Sequence, residues 1–578
     1  MSSTTELIEK HSLKNDLIFR FKMAVHTAKR SFKNLVDAPL RFSDTNELKN
    51  AKVIAVSESE LWNAKDNQYN WFLTAGKIEN LRVAARNLNG IEVKANKVFS
   101  FWKHIGKPTK RKGYVVGREI REGCIVPTIA GGLCQMSNAL YDAALKAGFE
   151  IVERHKHTRV IQGSLAEKDR DATVKWNYVD LRFKSKNAFR IEIEFTADKL
   201  LVKFRSQDAN LESNETESTM LTSKINDCYS CGNTVCFKHP GKIPERKLND
   251  ITAYILDEKS TEFETYLATI SKVEDYFIVP FSLNDKIKIN RFLWDSKNDG
   301  HTKSFAIMSI KRSLHLRLQA RRKKNIPSLL LSYDEKIVRS ILKMIPSECT
   351  HIVVSQNLLP FAYKYGLLWG RSYDVLMTRL PIEHLQARLD ALKNNFPQSI
   401  TAADFRVNQD LLDLEKMALN KARKLISPHS EIVKLYHHKA VQLDWQKPAV
   451  KNQLRKGDKI IFPASALARK GAFEMRQLVL DLNLSIHVLG KAQEHDGFWK
   501  GINIRYANNL EDARLLVLPA YVEHHPKLIL RALAMGIPVI TTAACGLNPQ
   551  EKLIIVAVGD YKALKEEVQK FLNRVEAL

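Results

Sequence analysis

The sequence predicts a multidomain protein: an α+β domain followed by two α/β domains of Rossmann type. Three observations carry this. Residues Val174 to Phe183, Phe189 to Phe195 and Leu200 to Phe204 alternate as half-buried strands do, and they close a region that opens with helical spacing. From Asp250 onward short apolar runs alternate with helical stretches, the rhythm of strands joined by crossovers in a parallel sheet. Pro448, in Asp444-Trp445-Gln446-Lys447-Pro448, interrupts that rhythm before it resumes at Lys459, so the pattern divides in two.

At 578 residues, 44% hydrophobic and 27% charged, the chain has the composition of globular protein with room for about three or four domains. Its net charge of +26, from 90 Lys and Arg against 64 Asp and Glu, implies attraction to an anion: a phosphorylated sugar donor, a lipid-linked precursor or a membrane surface. No nucleic-acid-binding motif accompanies the charge, so specific nucleic-acid binding is not expected. No apolar run reaches the ~18 residues of a bilayer span, and Met1 to Glu6 lacks the basic and apolar regions of a secretory signal. The expected location is cytoplasmic, with peripheral contact at the inner membrane face. One basic run, Lys311 to Lys324, interleaves Leu314, Leu316 and Leu318 and could form a basic amphipathic helix.

In chain order, residues 1–75 read as a mostly helical N-terminal extension, patterned most clearly from Asn15 to Val36, and residues 76–207 as the α+β domain. Its most informative stretch is Gly131-Gly132-Leu133-Cys134-Gln135-Met136-Ser137. Met136, Leu140, Ala143, Ala144 and Ala147 recur at helical spacing and Gly148 suits a C-cap, so Cys134 opens a helix, where the dipole lowers a thiol pKa. Phe149 to Thr158 reads as a strand that puts His155 and His157 on one face. Asp171 could orient either imidazole. A cysteine at a helix start, a histidine and a carboxylate form the set of an activated-thiol site, with Cys134 as nucleophile, His155 or His157 as base and Asp171 as orienter. The same residues could ligate a metal, or Cys134 could be a small core residue.

Several separated blocks in this region resemble the VanW family. They are Arg82-Val83-Ala84-Ala85-Arg86-Asn87-Leu88-Asn89-Gly90, Val98-Phe99-Ser100-Phe101, Gly106, the cysteine block, Leu140-Tyr141-Asp142-Ala143-Ala144, Glu153-Arg154-His155-Lys156-His157 and Arg170-Asp171-Ala172-Thr173-Val174. Together they cover about residues 75 to 205. The family often carries three glycines before the cysteine, where this chain has Ala130. The resemblance implies a role in cell-envelope or surface-glycan metabolism.

Residues 208–245 read as a polar linker holding Cys228, Cys231, Cys236 and His239. Two such pairs can close a tetrahedral zinc site, and the three thiolates could alternatively hold part of an iron–sulfur cluster.

Residues 246–447 form the first α/β domain, with strands expected at Ala253 to Leu256, Tyr276 to Val279, Ala306 to Ser309, Ser328 to Ser332, His351 to Ser355, Val375 to Arg379 and Ile432 to Tyr436. Residues 448–578 form the second, with strands at Lys459 to Pro463, Ser485 to Leu489, Leu515 to Pro519 and Pro538 to Thr542, and helices at Gly471 to Leu482 and Lys527 to Met535. This last segment, through Lys470-Gly471, Leu515 to Pro519 and Glu523-His524-His525-Pro526-Lys527 up to Ile540, resembles the nucleotide-binding half of GT-B glycosyltransferases. The resemblance implies a GT-B-like pair of domains, with Lys470 on a donor's diphosphate and Glu523 near its sugar. Arg531 stands where the family places a ribose-binding glutamate, and Ser465 where it places a loop arginine. A guanidinium offers no acceptor to a ribose hydroxyl. Three functions are thereby in play: an activated cysteine acting on an acyl or amide bond, a transferase using a nucleotide sugar, and a binding protein for an anionic lipid-linked precursor.

Overall fold

The computed structural model describes residues 13–62, 68–121, 124–157, 164–207, 226–227, 251–295, 301–321, 326–450 and 457–576. The chain forms two compact units. One comprises residues up to Ile251 with Ile345–His351 and Gly366–Ser372, and the other Thr252–Met344, Ile352–Tyr365 and Tyr373–Leu578. Cys228, Cys231, Cys236 and His239 lie outside the described residues, so the zinc expectation is carried no further. Among the described residues no helix is long and apolar enough to cross a membrane.

The first unit begins with helix α1 (Leu13–Asp37). An antiparallel sheet follows, built from β1 (Lys52–Glu60), β2 (Glu92–Val93), β8 (Phe189–Phe195) and β9 (Lys199–Ser206) in the order β1-β9-β8-β2. Burial along β9 alternates residue by residue, with Leu200, Val202 and Phe204 inward. A second small sheet joins β3 (Phe99–Ser100), β7 (Arg182–Lys184) and β6 (Glu150–Glu153) in the order β3-β7-β6. Phe149, Phe183, Phe189 and Phe204 stack between these sheets with ring centroids 4.6 to 6.2 Å apart. Helices α2 (Gln68–Leu88) and α4 (Cys134–Lys146) supply the other wall of the core, through residues such as Leu81, Ala84, Leu88, Met136 and Leu140. Short α3 (Phe101–Ile105) and the hairpin of β4 (Val116–Arg121) and β5 (Cys124–Ile129) lie between them in sequence, and Asn226–Asp227 adds a parallel strand, β10, beside β5.

Two expected strands in this unit are shorter than the alternation suggests. In the expected strand from Phe149 to Thr158, of which residues up to His157 are described, only β6 pairs among the described residues, because its register shifts between Ile151 and Glu153 and the chain then leaves the sheet. Of Val174 to Phe183 only the end pairs, because Asn177 takes φ 48° in a turn closed by a Lys175–Val179 bridge.

The second unit holds two parallel sheets. Seven strands are ordered 302–304, 276–279, 251–255, 349–355, 372–376, 424–427, 440–442, and six are ordered 504–506, 486–488, 459–462, 513–518, 539–542, 553–556. All neighbouring strands of the six-stranded sheet pair in parallel, as do the two pairs at each edge of the seven-stranded one. Three expected strands are helical instead: Ala306 to Ser309 starts the helix Ala306–Arg321, Ser328 to Ser332 lies in Ile326–Ile341, and Ile432 to Tyr436 lies in and just beyond Ser430–Leu435. A short apolar run fits one buried face of a helix as well as a strand. The basic run also turns inward at one point, where Arg312 is buried against Asp257 at 2.5 Å and Asp334 at 3.4 Å.

Candidate functional site

The approach to Cys134 is shaped by three successive residues in unusual backbone. Ala130 has φ 61° and Gly132 φ 96°, while Gly131 packs so closely on β4 that a Cβ there would stand 2.6 Å from the carbonyl of Gly117. The Asn80 side chain fixes this turn, donating to the Val115 and Gly131 carbonyls at 3.1 and 2.9 Å and accepting from the Val115 N–H at 2.9 Å. The chain then enters α4 with Cys134 as its first residue and no side-chain cap before it.

Helix α4 also positions the carboxylate. Ser137 donates to the Ala172 carbonyl at 2.5 Å and Asn138 accepts from the Ala172 N–H at 2.7 Å, so residues 171–173 are clamped along the helix that carries the thiol. Asp171 is fully buried. Its carboxylate accepts from the His157 backbone N–H and, at 2.6 Å, from the imidazole Nδ1–H. The same imidazole interacts electrostatically with the Cys134 thiol. The sulfur itself lies 3.6 Å from the Thr173 hydroxyl and 3.8 Å from the Val174 carbonyl.

Electrostatics follow from this geometry. Burial pushes the Cys134 thiol up, but the hydrogen bond and charge of His157 outweigh it and leave the thiol below its ordinary value. Burial alone would lower His157, yet its bonds to Asp171 and Cys134 push it up to about 10. At neutral pH His157 is an imidazolium, and its charge favours the thiolate of Cys134.

The structure separates the two histidines that sequence left together. His155 is half exposed and faces Glu153 at 3.5 Å, so it takes no part in the cluster. Beyond β6 the backbone is held by side chains: Arg154 donates to the Asp171 and Asp169 carbonyls and to the Asp169 carboxylate, and Lys156 pairs with Asp169 at 2.6 Å. The Thr173 N–H bonds the His155 carbonyl at 2.8 Å. With His155 turned away and both Asp171 oxygens engaged by His157, the four residues do not converge on one metal position, and no group of three metal-ligating side chains occurs among the described residues. Sequence reasoning missed Ser137, Asn138 and Thr173, although burial of polar residues on the inner face of α4 was the available signal.

In the second unit, Lys470 follows the first strand of the six-stranded sheet, in a turn closed by Gly471 at φ 80°. Its ammonium bonds the Glu523 carboxylate at 2.8 Å and the Val522 carbonyl at 3.1 Å. Neighbouring Arg469 is taken by Asp404, and the Ala468 N–H by Glu494 at 2.6 Å. Glu494 also accepts from the Ile400 and Thr401 N–H groups and from the Ser399 and Thr401 hydroxyls. Three donors of this loop, the Lys470 ammonium, the Arg469 guanidinium and the Ala468 N–H, are thus met by carboxylates of the chain itself. Arg531 lies exposed on the helix Lys527–Ala534. His524 is half-buried and neutral, held far below its ordinary pKa first by desolvation and then by His429 and nearby cations, and its Nε2 accepts from the Leu380 N–H at 3.3 Å.

An α+β domain with a linked cysteine, histidine and aspartate, joined to two parallel Rossmann-type sheets, is the class that fold and site define. Within it, residues 76–205 are a VanW-like domain, matching the family model described as VanW like protein, and residues 474–574 match the model for glycosyl transferases group 1. The uncharacterized protein YoaR of Bacillus subtilis is 36% identical over 106 residues, 18% of this chain and 34% of that protein. The vancomycin B-type resistance protein VanW of Enterococcus faecalis is 32% identical over 127 residues, 21% of this chain and 46% of that protein. The chain therefore spans less than half the length of either curated relative. Among solved structures, the sucrose-phosphate synthase of Thermosynechococcus elongatus is 14% identical with a TM-score of 0.33, covering 56% of this chain and 90% of that one.

Proposed function

We propose that the VanW-like domain is a thiol-dependent enzyme of cell-envelope or surface-glycan metabolism that acts on an acyl or amide bond. Cys134 is the nucleophile, His157 the acid and base, and Asp171 the orienting carboxylate. The observation that supports this is the His157 imidazole, hydrogen-bonded to buried Asp171 and electrostatically linked to the Cys134 thiol. In the first half-reaction the sulfur bonds to the carbonyl carbon. The bond from that carbon to its nitrogen or oxygen leaving atom breaks as the imidazolium passes its proton to that atom. Water, losing a proton to the now neutral His157, then cleaves the thioester, releases the carboxylic acid and restores the pair. Incubation with activated acyl esters and amides, followed by mass spectrometry, should find an acyl group on Cys134 that His157→Ala prevents. Absence of any adduct on wild-type protein would reject the reading.

For the C-terminal half the reading is a degenerate glycosyltransferase-like scaffold. The residues present do not fit a nucleoside diphosphate sugar: Asp404, Glu494 and Glu523 already engage the loop donors, and Arg531 offers no acceptor for a ribose. No step of the chemistry above runs through such a donor.

A further inference from the structure

Helix α1 turns its polar face inward. At about 100° per residue, His26, Arg30, Asn34 and Asp37 share one side. That side is the one that packs. Arg30 donates twice to the Glu153 carboxylate at 2.8 Å and lies 3.4 Å from Asp180. Asn34 bonds Asn177 and accepts from Arg182 at 2.6 Å, Asp37 pairs with Arg182 at 2.9 Å, and the His26 ring lies 4.8 Å from that of Tyr178.

The opposite face carries Leu17, Phe21, Val25, Phe32, Leu35 and Val36 within a stripe about 100° wide. Apart from Val25 these side chains are 66 to 78% exposed. Among the described residues this stripe stays exposed, and burying it calls for an apolar environment. Lys22, Lys29 and Lys33 fall along one border of the stripe, where long stems can reach headgroups while the stripe is buried.

Charge complementarity says what covers it. The helix leads through exposed Leu40 and Arg41 to Phe42, whose N–H donates to His104 Nε2 at 3.0 Å. There it reaches a cleft of ≈ 320 Å³ lined by Arg41, Lys103, His104, Gly106 and Lys112 with parts of α2. Residues 94 to 118 contain eight Lys and Arg and no Asp or Glu. Among the described residues Arg41, Lys103 and Lys112 have no carboxylate partner, and Lys112 instead reaches over Gly106 to the Ile105 carbonyl at 3.4 Å. A second copy of this surface would bring like charges together.

We propose that α1 docks the protein on an anionic bilayer surface, its apolar stripe entering the boundary between headgroups and acyl chains while the cationic cleft at its C-terminal end takes a headgroup phosphate. This stands independently of the thiol chemistry.

Co-sedimentation of the full chain with vesicles of phosphatidylcholine, with and without phosphatidylglycerol, tests it. Strong binding is expected only with the anionic vesicles, weakening as salt rises. The double variant Phe21→Asp/Phe32→Asp, altered on the unpacked face only, should keep the wild-type melting temperature and bind at least about tenfold more weakly. Lys103→Glu/Lys112→Glu should lose most of the preference for anionic lipid. Inorganic phosphate in excess, compared with sodium chloride at the same ionic strength, should release no more protein from the vesicles than the chloride does. Four outcomes would overturn the proposal: no sedimentation with either vesicle, equal binding by the Phe21/Phe32 variant, release by inorganic phosphate beyond that by the chloride, or self-association of the wild type that this variant abolishes.

Discussion

At the scale of single residues the decisive contrast is between His155 and His157, two positions apart and chemically identical. His157 has a buried carboxylate behind it and a thiol in front, whereas His155 meets solvent and Glu153. Alkylation by iodoacetamide over a range of pH should therefore reveal a thiol that ionises below its ordinary value. His157→Gln should slow the reaction at pH 6.5 by up to about tenfold for each unit the thiol rises, because burial then loses its main opponent. His155→Gln should leave the profile where it was. The signs for stability run in opposite directions. The raised His157 contributes fully below its ordinary value near 6.5 and loses that contribution as pH climbs through about 10, while the lowered Cys134 contributes above its ordinary value and loses it as pH falls through its own depressed pKa. The pair is whole between those limits. Asp171→Asn should bring His157 back toward its ordinary pKa, readable by NMR. It should also lower unfolding stability by about 1–3 kcal/mol, since two donors lose their charged acceptor in a buried site.

At the scale of elements, the turn into α4 stores a cost that a single substitution can relieve. Ala130 holds φ 61°, a conformation that costs an ordinary residue about 1–2 kcal/mol, while a glycine there adds about 0.4–1 kcal/mol of unfolded-state entropy to be lost. Ala130→Gly should thus raise stability by up to about 1 kcal/mol, seen as a higher denaturant midpoint at unchanged slope. Gly131→Ala should do the reverse by about 1–3 kcal/mol or more, because its Cβ would collide with the backbone of Gly117, which cannot rotate away. Elements were legible in the sequence where one local signal sufficed. The helix opening at Cys134 follows from two glycines and helical spacing, both local. The end of β6 was not legible, because it is set by Arg154 and Thr173 bonding residues 15 to 18 positions away. Parts of the helices at 306–321, 326–341 and 430–435 have the pattern of strands because runs of four or five residues with three or four apolar ones satisfy either period when the buried face is wide.

At the scale of the whole molecule, the recurring alternation of strand and crossover made both parallel sheets legible, and the spacing from Lys470 to Glu523 and Arg531 exposed the departure from the donor-binding pattern. What no spacing could show is the origin of the carboxylates that meet the loop: Asp404 comes from 65 positions before Arg469, and Glu494 from 26 positions after Ala468. Such partners are chosen by packing across the second unit. They also set the last expectation. A nucleotide sugar would have to displace Asp404 from Arg469, Glu523 from Lys470 and Glu494 from the Ala468 N–H, so its phosphates would replace charge-assisted bonds that already exist and gain little. A ligand present at about 100 times its Kd stabilises by about 2.7 kcal/mol, which for a unit of this size raises the melting temperature by several degrees. A panel of uridine, guanosine and adenosine diphosphate sugars at millimolar concentration should leave the melting temperature of the wild type in place. Asp404→Asn, which frees Arg469, is the variant in which weak stabilisation by a nucleoside diphosphate should first appear. A rise of several degrees in the wild type with any one of these sugars would mean that the loop exchanges its own carboxylates for phosphate readily, and the scaffold reading of the C-terminal half would fall.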